Sequence, residues 1–305
     1  MPLFSKPTAR ALAILDLLMA NPDQAFGLTE MTRKLGLNKA TCHAILTTMA
    51  SYGYLVQDQR SKAYRLGPSI VAAGNAAYAQ FPALEYARPE LEKLSDELGL
   101  ASAVTGRSGR HIVLLAHYGN ANTFQTPFQL GLRVPNIAPL GSAFIAWSPA
   151  KQLEAWIARA HEARGGFDEQ LDKRLRMSVI NIRARGYEAT FKTAAVDDLE
   201  RDLSKLDAGW NLEQLESITN DYQLKLCEQA FHIDRIDPKT SYDISTVSVP
   251  VYGYNQEPQL VFTIGSIIQE LRGSEIADIA RRLTEAATRV TVAARSSVPL
   301  ARVVG

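Results

Sequence analysis

The chain has 305 residues, 46% hydrophobic and 21% charged, enough for roughly two domains of about 150 residues each with cores that need no staples. No window approaches the roughly 18 unbroken apolar residues of a membrane-spanning helix, and Met1-Pro2-Leu3-Phe4-Ser5-Lys6 lacks the apolar run of a secretion signal. Two cysteines, Cys42 and Cys227, cannot form a disulfide framework, so the expected setting is the cytoplasm, with no membrane partner.

The net charge of +1 hides an asymmetry: residues 1–80 carry +4 and the remainder −3. A basic small region joined to a slightly acidic larger one suits a protein that touches a polyanion at one end. Thr8 to Ala20 has apolar residues at 11, 14, 15 and 18, the one-face spacing of an amphipathic helix. Asn21-Pro22-Asp23 ends it. Thr29 is then the expected N-cap of a second helix with Met31 and Leu35 inward, and Gly36 fits the left-handed position past its end. Asn38 caps a third helix whose stripe of Cys42, Ile45, Leu46 and Met49 belongs to the core, so Cys42 reads as a small buried hydrophobe.

The opposite face of that third helix presents Lys39, Ala40, His43, Ala44 and Thr47. Helix, tight turn, helix and then a charged hairpin is the layout of a winged helix-turn-helix, which inserts its second helix into a DNA major groove. Lys39, Ala40 and His43 are the candidates for base edges, through cationic donors and a methyl group. Thr41 is assigned to a phosphate or the neighbouring helix. In the hairpin, Gln57 and Arg65 are expected outward, and Leu55, Tyr64 and Leu66 inward. Its tip, Arg60-Ser61-Lys62, places two cations on the sugar-phosphate backbone, which supplies affinity and salt dependence rather than sequence choice.

Ile70 to Ala79 reads as a linker helix of small residues and a plausible dimer contact, with Phe81-Pro82 as the boundary. Leu84 to Leu98 is expected helical, with strands at Ala101–Gly106 and Ile112–Ala116. Arg107 sits in the turn between them, as a solvated charge or an anion ligand. Pro135 to Phe144 leads into a helix reaching about Trp147, and a Gly141-Ser142 start leaves backbone N–H groups able to hold a carboxylate; an ordinary helix start is the competing reading. Roughly Ala195 to Ser241 is polar and helical, with Val196, Leu199 and Leu203 on one face and Leu212, Leu215, Ile218, Tyr222, Leu224, Leu226 and Phe231 in a second apolar set. It suits a lid or, slightly better, an oligomer or domain contact. Trp156 and Trp210 are assigned to packing. Ala277 to Val290 closes the fold as an amphipathic helix, and the chain after Ser296 is expected to fray. The five histidines stand apart in sequence and make no metal spacing, and no P-loop, G-x-G-x-x-G or complete G-x-S-x-G appears.

Together these motifs resemble the IclR family of transcriptional regulators. The resemblance rests on Leu28 to Leu37, Lys39-Ala40-Thr41-Cys42-His43, Gly53-Tyr54-Leu55, Tyr64-Arg65-Leu66-Gly67, Ala87 to Gly99, Leu140-Gly141-Ser142-Ala143, Val247 to Val251 and Phe262 to Ser266. It implies an α+β chain with an N-terminal winged domain over 1–67, a linker helix over 68–82 and a GAF-like α/β effector domain over 83–305. The segment at about 195–241 is then a helical insertion where the family has a short acidic stretch. The family further implies double-stranded DNA as partner, a homodimer or tetramer and a small organic acid as effector, while the missing motifs set the expectation of no cofactor and no enzymatic activity. Leu140, Gly141, Ser142, Thr246, Thr263 and Gly265 correspond to its pocket wall. Ala44 stands where the family often has Arg. The competing classes are a winged-helix protein whose C-terminal domain only oligomerises and, more remotely, a hydrolase using Ser142.

Overall fold

A computed structural model describes residues 5–78, 81–119, 130–205 and 212–296. Trp210 and the tail after Ser296 lie outside them, as does the side chain of Leu212. The chain forms two compact units, one built on Met1–Phe81 with Gln129–Gly131 and Arg201–Ile218, the other on Pro82–Phe128, Leu132–Glu200 and Thr219–Gly305.

The N-terminal unit opens with α1 (Lys6–Ala20), α2 (Leu28–Leu35), α3 (Lys39–Ser51), β1 (Leu55–Gln57), β2 (Tyr64–Leu66) and α4 (Pro68–Tyr78). Ile14, Leu17, Leu18, Phe26, Met31, Cys42, Leu46, Leu55 and Tyr64 make its core, with Leu35, Ile45 and Met49 packed at the edge. Asn21 closes α1 by donating its amide to the Leu17 carbonyl at 2.9 Å. The N-cap of α2 lies two residues before the expected Thr29: it is Gly27, whose carbonyl takes the Met31 N–H. Gly at an N-cap costs only a few tenths of a kcal/mol against a hydroxyl cap. Gly36 ends the helix at φ +62°, a conformation in which a Cβ would be strained. Asn38 caps α3, its side chain accepting from the Thr41 N–H at 2.8 Å.

The hairpin differs from expectation in one residue. Its register pairs Leu55 with Leu66, Val56 with Arg65 and Gln57 with Tyr64. Gln57 therefore shares the inner side with Leu55, two residues away, and Val56 is the residue beside Arg65 on the outer side. Gln57 is half-buried and donates to the Lys62 carbonyl. Phe26 adds a third rung by exchanging both main-chain bonds with Tyr64.

The second unit contains α5 (Pro82–Leu98), β3 (Ala101–Ser108), β4 (His111–Tyr118), β5 (Arg133–Pro135), α6 (Ser142–Ile145), α7 (Ala150–Ala163), α8 (Glu169–Arg185) and β6 (Glu188–Phe191). After α9 (Ala194–Lys205) and α10 (Leu212–Glu228), which run across the division between units, come β7 (Ser241–Tyr242), β8 (Ile244–Tyr252), β9 (Pro258–Gly265), β10 (Leu271–Arg272) and α11 (Gly273–Ser296). Six strands form one antiparallel sheet in the order β5-β4-β3-β9-β8-β6. The alternation of β8 and β9 sends Val247, Val249, Val251, Leu260, Phe262 and Ile264 into a core shared with α5 and α11. Their neighbours Thr246, Ser248 and Thr263 consequently face the other side, where α6 packs against Val261.

On that side α6 is a single turn, shorter than the helix to Trp147 read from sequence. Trp156 is fully buried and donates its indole N–H to the Leu140 carbonyl at 2.7 Å, which pins the loop ahead of α6. In α10 the buried stripe runs through Leu215, Thr219, Gln223, Leu226 and Cys227 rather than Leu224, with Gln223 donating to the Ala138 carbonyl. Leu199 and Leu203 of α9 are buried as expected.

Candidate functional site

On the surface of α3, Lys39, Ala40, His43, Ala44 and Thr47 are all exposed, while Thr41 is half-buried and gives its N–H to Asn38. The Cys42 thiol behind them is buried, and burial pushes its pKa up, which removes the thiolate that reactivity would need.

The wing tip is a built turn. Asp58 Oδ1 accepts the Ser61 N–H at 2.7 Å, the Ser61 hydroxyl at 2.9 Å and the Arg60 N–H at 3.1 Å. These bonds, led by the Ser61 N–H, hold the Asp58 carboxyl below the usual carboxylate range. Lys62 N–H closes onto the Asp58 carbonyl, and Lys62 itself adopts φ +55°. A lysine in the left-handed region is strained by roughly 1–2 kcal/mol, so the turn that holds it over-determines its position. Arg60, Lys62 and Arg65 are all exposed. Asp58 carried no signal in the sequence beyond its place before a charged tip.

In the C-terminal unit the sheet register assembles a polar row on the α6 side. Glu188 of β6 pairs with Ser248 of β8, Ser248 with Thr263 of β9, and Thr263 with Ala103 of β3. Thr190 pairs with Thr246 in the adjacent row, and their hydroxyls bond at 2.7 Å. Ser248 and Thr263 hydroxyls bond at 2.9 Å. Gly265 lies beside Thr246: a Cβ there would meet only the Thr246 Cγ2 at 3.8 Å and the Ser245 carbonyl oxygen at 3.9 Å. Thr246, Thr263 and Gly265 thus share one face, bordered by the loop carrying Leu140, Gly141 and Ser142.

Ser142, Glu188 and His232 meet at a single point. The Ser142 hydroxyl donates to Glu188 Oε1, His232 Nε2 lies 2.8 Å from Ser142 Oγ, and the same Nε2 lies 2.9 Å from Glu188 Oε1. All three residues are more than nine-tenths buried. His232 reaches this point because residues 231–233 run along the edge of β6, with Phe191 N–H on the Phe231 carbonyl and Ile233 N–H on the Ala189 carbonyl. Sequence reading set the histidines apart from any carboxylate; the fold pairs His232 with Glu188 and places His161 3.3 Å from Asp172. No group of three metal-ligating side chains occurs among the described residues.

One expectation for this region changes. At Gly141–Ser142 the single turn of α6 uses the Phe144 and Ile145 N–H groups on the Gly141 carbonyl, and the Ser142 hydroxyl is committed to Glu188. Arg107 is neither a turn charge nor a free anion ligand. It lies in β3, half-buried over the Phe144 ring, bonded to Gln152 and close to Glu257; its pKa is lowered by burial, with Glu257 acting in the opposite sense.

The triangle is no hydrolytic relay. A relay places the imidazole between hydroxyl and acid, one ring nitrogen on each. Here one nitrogen touches both partners and the serine proton goes directly to the carboxylate, so nothing readies Ser142 as a nucleophile.

A winged DNA-binding unit attached to a six-stranded α+β unit with a polar sheet face defines the class. The description "IclR helix-turn-helix domain" matches residues 7–59. The regulator BhcR of Paracoccus denitrificans is 27% identical over 194 residues, which span 63% of this chain and 66% of BhcR, just under two thirds of that relative's length. The crystal structure of an IclR transcriptional regulator from Alicyclobacillus acidocaldarius superposes with a TM-score of 0.61 at 18% identity, covering 95% of this chain and 99% of that one. An IclR homolog from Microbacterium hydrocarbonoxydans, solved with 4-hydroxybenzoate, gives 0.60 at 14% identity over 96% and 100%. The two structural likenesses speak to the fold. Residues 7–59 are thus an IclR helix-turn-helix domain, and the chain beyond them is similar to IclR regulators in fold.

Proposed function

We propose that this protein is a sequence-specific transcriptional regulator that binds double-stranded DNA through residues 1–67 and senses a small organic molecule through residues 83–305, with 68–82 as linker helix. The observation that carries the DNA reading is the wing tip, where the Asp58 turn fixes the exposed Lys62 in a strained conformation. Lys39, Ala40 and His43 read bases, Thr41 and Thr47 border the groove, and Arg60, Lys62 and Arg65 hold the backbone. Helix α4 supports a homodimer or a tetramer built from dimers, since none of its eleven residues is buried although most are apolar. Two-fold symmetry matches two half-sites about one DNA turn apart. None of the described helices is long and apolar enough to cross a membrane.

The sensing reading rests on the row of hydroxyls across β6, β8 and β9 and on the fold shared with a homolog that was solved with 4-hydroxybenzoate.

The test is fluorescence anisotropy of the full chain on its upstream DNA across a salt series. Arg60→Ala and Lys62→Ala each flatten the log–log salt slope by about one unit and weaken all sequences alike, whereas His43→Ala changes the ranking of sites. Wild-type behaviour of both wing variants at every salt would remove the wing from the interface.

A further inference from the structure

We infer that the C-terminal site takes a small uncharged polyhydroxylated molecule, of the polyol or sugar class, and seats one of its hydroxyl donors on Glu188. The inference rests on the sensing reading above and narrows it.

The polar end of the site is built around an acceptor. Glu188 is 8% exposed, and both of its hydrogen bonds, from Ser142 and with His232, fall on Oε1. Oε2 stands outside that triangle. An ionised carboxylate offers about four lone-pair directions, all acceptors, so the group that completes this one must donate. Burying it without a further donor is costly, and a hydroxyl supplies one without bringing a second charge.

The surroundings discriminate against an acid. His232, the basic member of the triangle, is committed to Glu188 through the same Nε2 that faces Ser142. Arg185 senses the Glu188 charge, but its Nε and Nη1 donate to the Tyr187 and Ile233 carbonyls. It stacks over Tyr187, which packs into the layer of α5 and α11. Arg107 lies towards Phe144 and is occupied by Gln152 and Glu257. Burial, with the nearby Glu188 and Glu200 carboxylates acting in the same sense, pushes the Tyr222 phenol up. Among the described residues no lysine or arginine is bonded to Glu188, so a ligand carboxylate placed here would set like charge against like.

The rest of the face suits several hydroxyls rather than one. Thr190, Thr246, Ser248 and Thr263 each both donate and accept, and they lie in two adjacent rows on neighbouring strands about 4.8 Å apart. Ser248 and Thr190 are buried beside Glu188, whereas Thr246, Thr263, Ala103 and Thr105 are half-buried. The row therefore grades from a closed polar end to an accessible one, and Gly265 leaves room above Thr246.

The test is isothermal titration and thermal shift on the full chain with two sets of probes. One set is neutral: glycerol, xylitol, free pentoses and free hexoses. The other is acidic: benzoate, 4-hydroxybenzoate and simple aliphatic acids. At least one neutral probe should bind the wild type, and Glu188→Gln, which is nearly isosteric, should weaken it by tenfold or more. Thr263→Val, at the half-buried end of the row and nearly isosteric, should weaken the same probe several-fold. Acids should bind Glu188→Gln better than wild type. Wild-type binding of acids with no response to any neutral probe overturns the inference and leaves sensing intact. A neutral ligand indifferent to both substitutions also overturns it. Silence of every probe in both sets counts against sensing itself.

Discussion

In the N-terminal unit the residues assigned to a partner stand in water, while in the C-terminal unit they are folded against one another. Lys39, His43, Arg60, Lys62 and Arg65 are exposed, and the scaffold beneath them is closed by its own apolar core. Ser142, Glu188 and His232 are buried and satisfy each other. A polyanion is met by long-range charge that tolerates solvent. A small neutral molecule has no charge to steer it, so its site depends on placed donors and acceptors in a dry enclosure. The two units should therefore fail differently: the first through affinity with stability unchanged, the second through both together.

The largest effect that would sharpen this contrast comes from Trp156. It is fully buried between α7 and α8 and holds the Leu140 carbonyl. Trp156→Ala should cost about 3–5 kcal/mol from the cavity, with the orphaned carbonyl adding about 1 kcal/mol or more. Urea denaturation followed by circular dichroism should show the transition of the C-terminal unit moving to lower urea. An unchanged midpoint would mean that the Leu140 loop is held by something else.

Next in size is Gly141, at φ +85°. A Cβ there would lie 2.6 Å from Asn136 Oδ1 and 2.9 Å from Ile112 Cδ1. Gly141→Ala meets both the left-handed backbone penalty and a clash, and should cost about 1–3 kcal/mol. Because Ser142 follows directly, ligand affinity should fall further than stability does. Equal losses in calorimetric stability and in binding would show that the residue only supports the fold.

How much of this was readable in advance depended on sequence distance. Gly36, Asn38 and the stripe through Cys42 and Leu46 are local signals, each read within one or two turns of chain, and they stand where periodicity put them. Gln57 faces inward against expectation because a three-residue strand offers too short an alternation to fix its parity from the charged end. The triangle was not readable. Ser142 and Glu188 are 46 residues apart and Glu188 and His232 are 44 apart, joined only by sheet pairing and an edge segment. A glutamate in the strand run Glu188-Ala189-Thr190-Phe191 was the one available hint, since a carboxylate there must be either on the open face or paired. Thr246 and Thr263 were found through resemblance, but their partners Thr190 and Ser248 come from register alone.

The smallest predicted effects lie in the wing, where charge and geometry can be separated. The Asp58 carboxyl is held low mainly by the Ser61 N–H, then by the Ser61 hydroxyl and the Arg60 N–H. A depressed carboxyl supports the fold above its unfolded value, about 3.9, and loses that support only as pH falls through the lower folded value. The wing should therefore bind DNA evenly from pH 5 to 8 as far as Asp58 is concerned, and Asp58→Asn should weaken binding a few-fold across that range. Lys62 divides the two contributions further. Lys62→Ala and Lys62→Gly both remove one phosphate contact and should flatten the salt slope equally, by about one unit. Only glycine accepts φ +55° without strain, so at high salt Lys62→Gly should bind more tightly than Lys62→Ala, by up to roughly 1 kcal/mol. Identical affinities across the salt series would mean that the turn is held by Asp58 alone, and that the backbone conformation at Lys62 adds nothing to how the wing meets DNA.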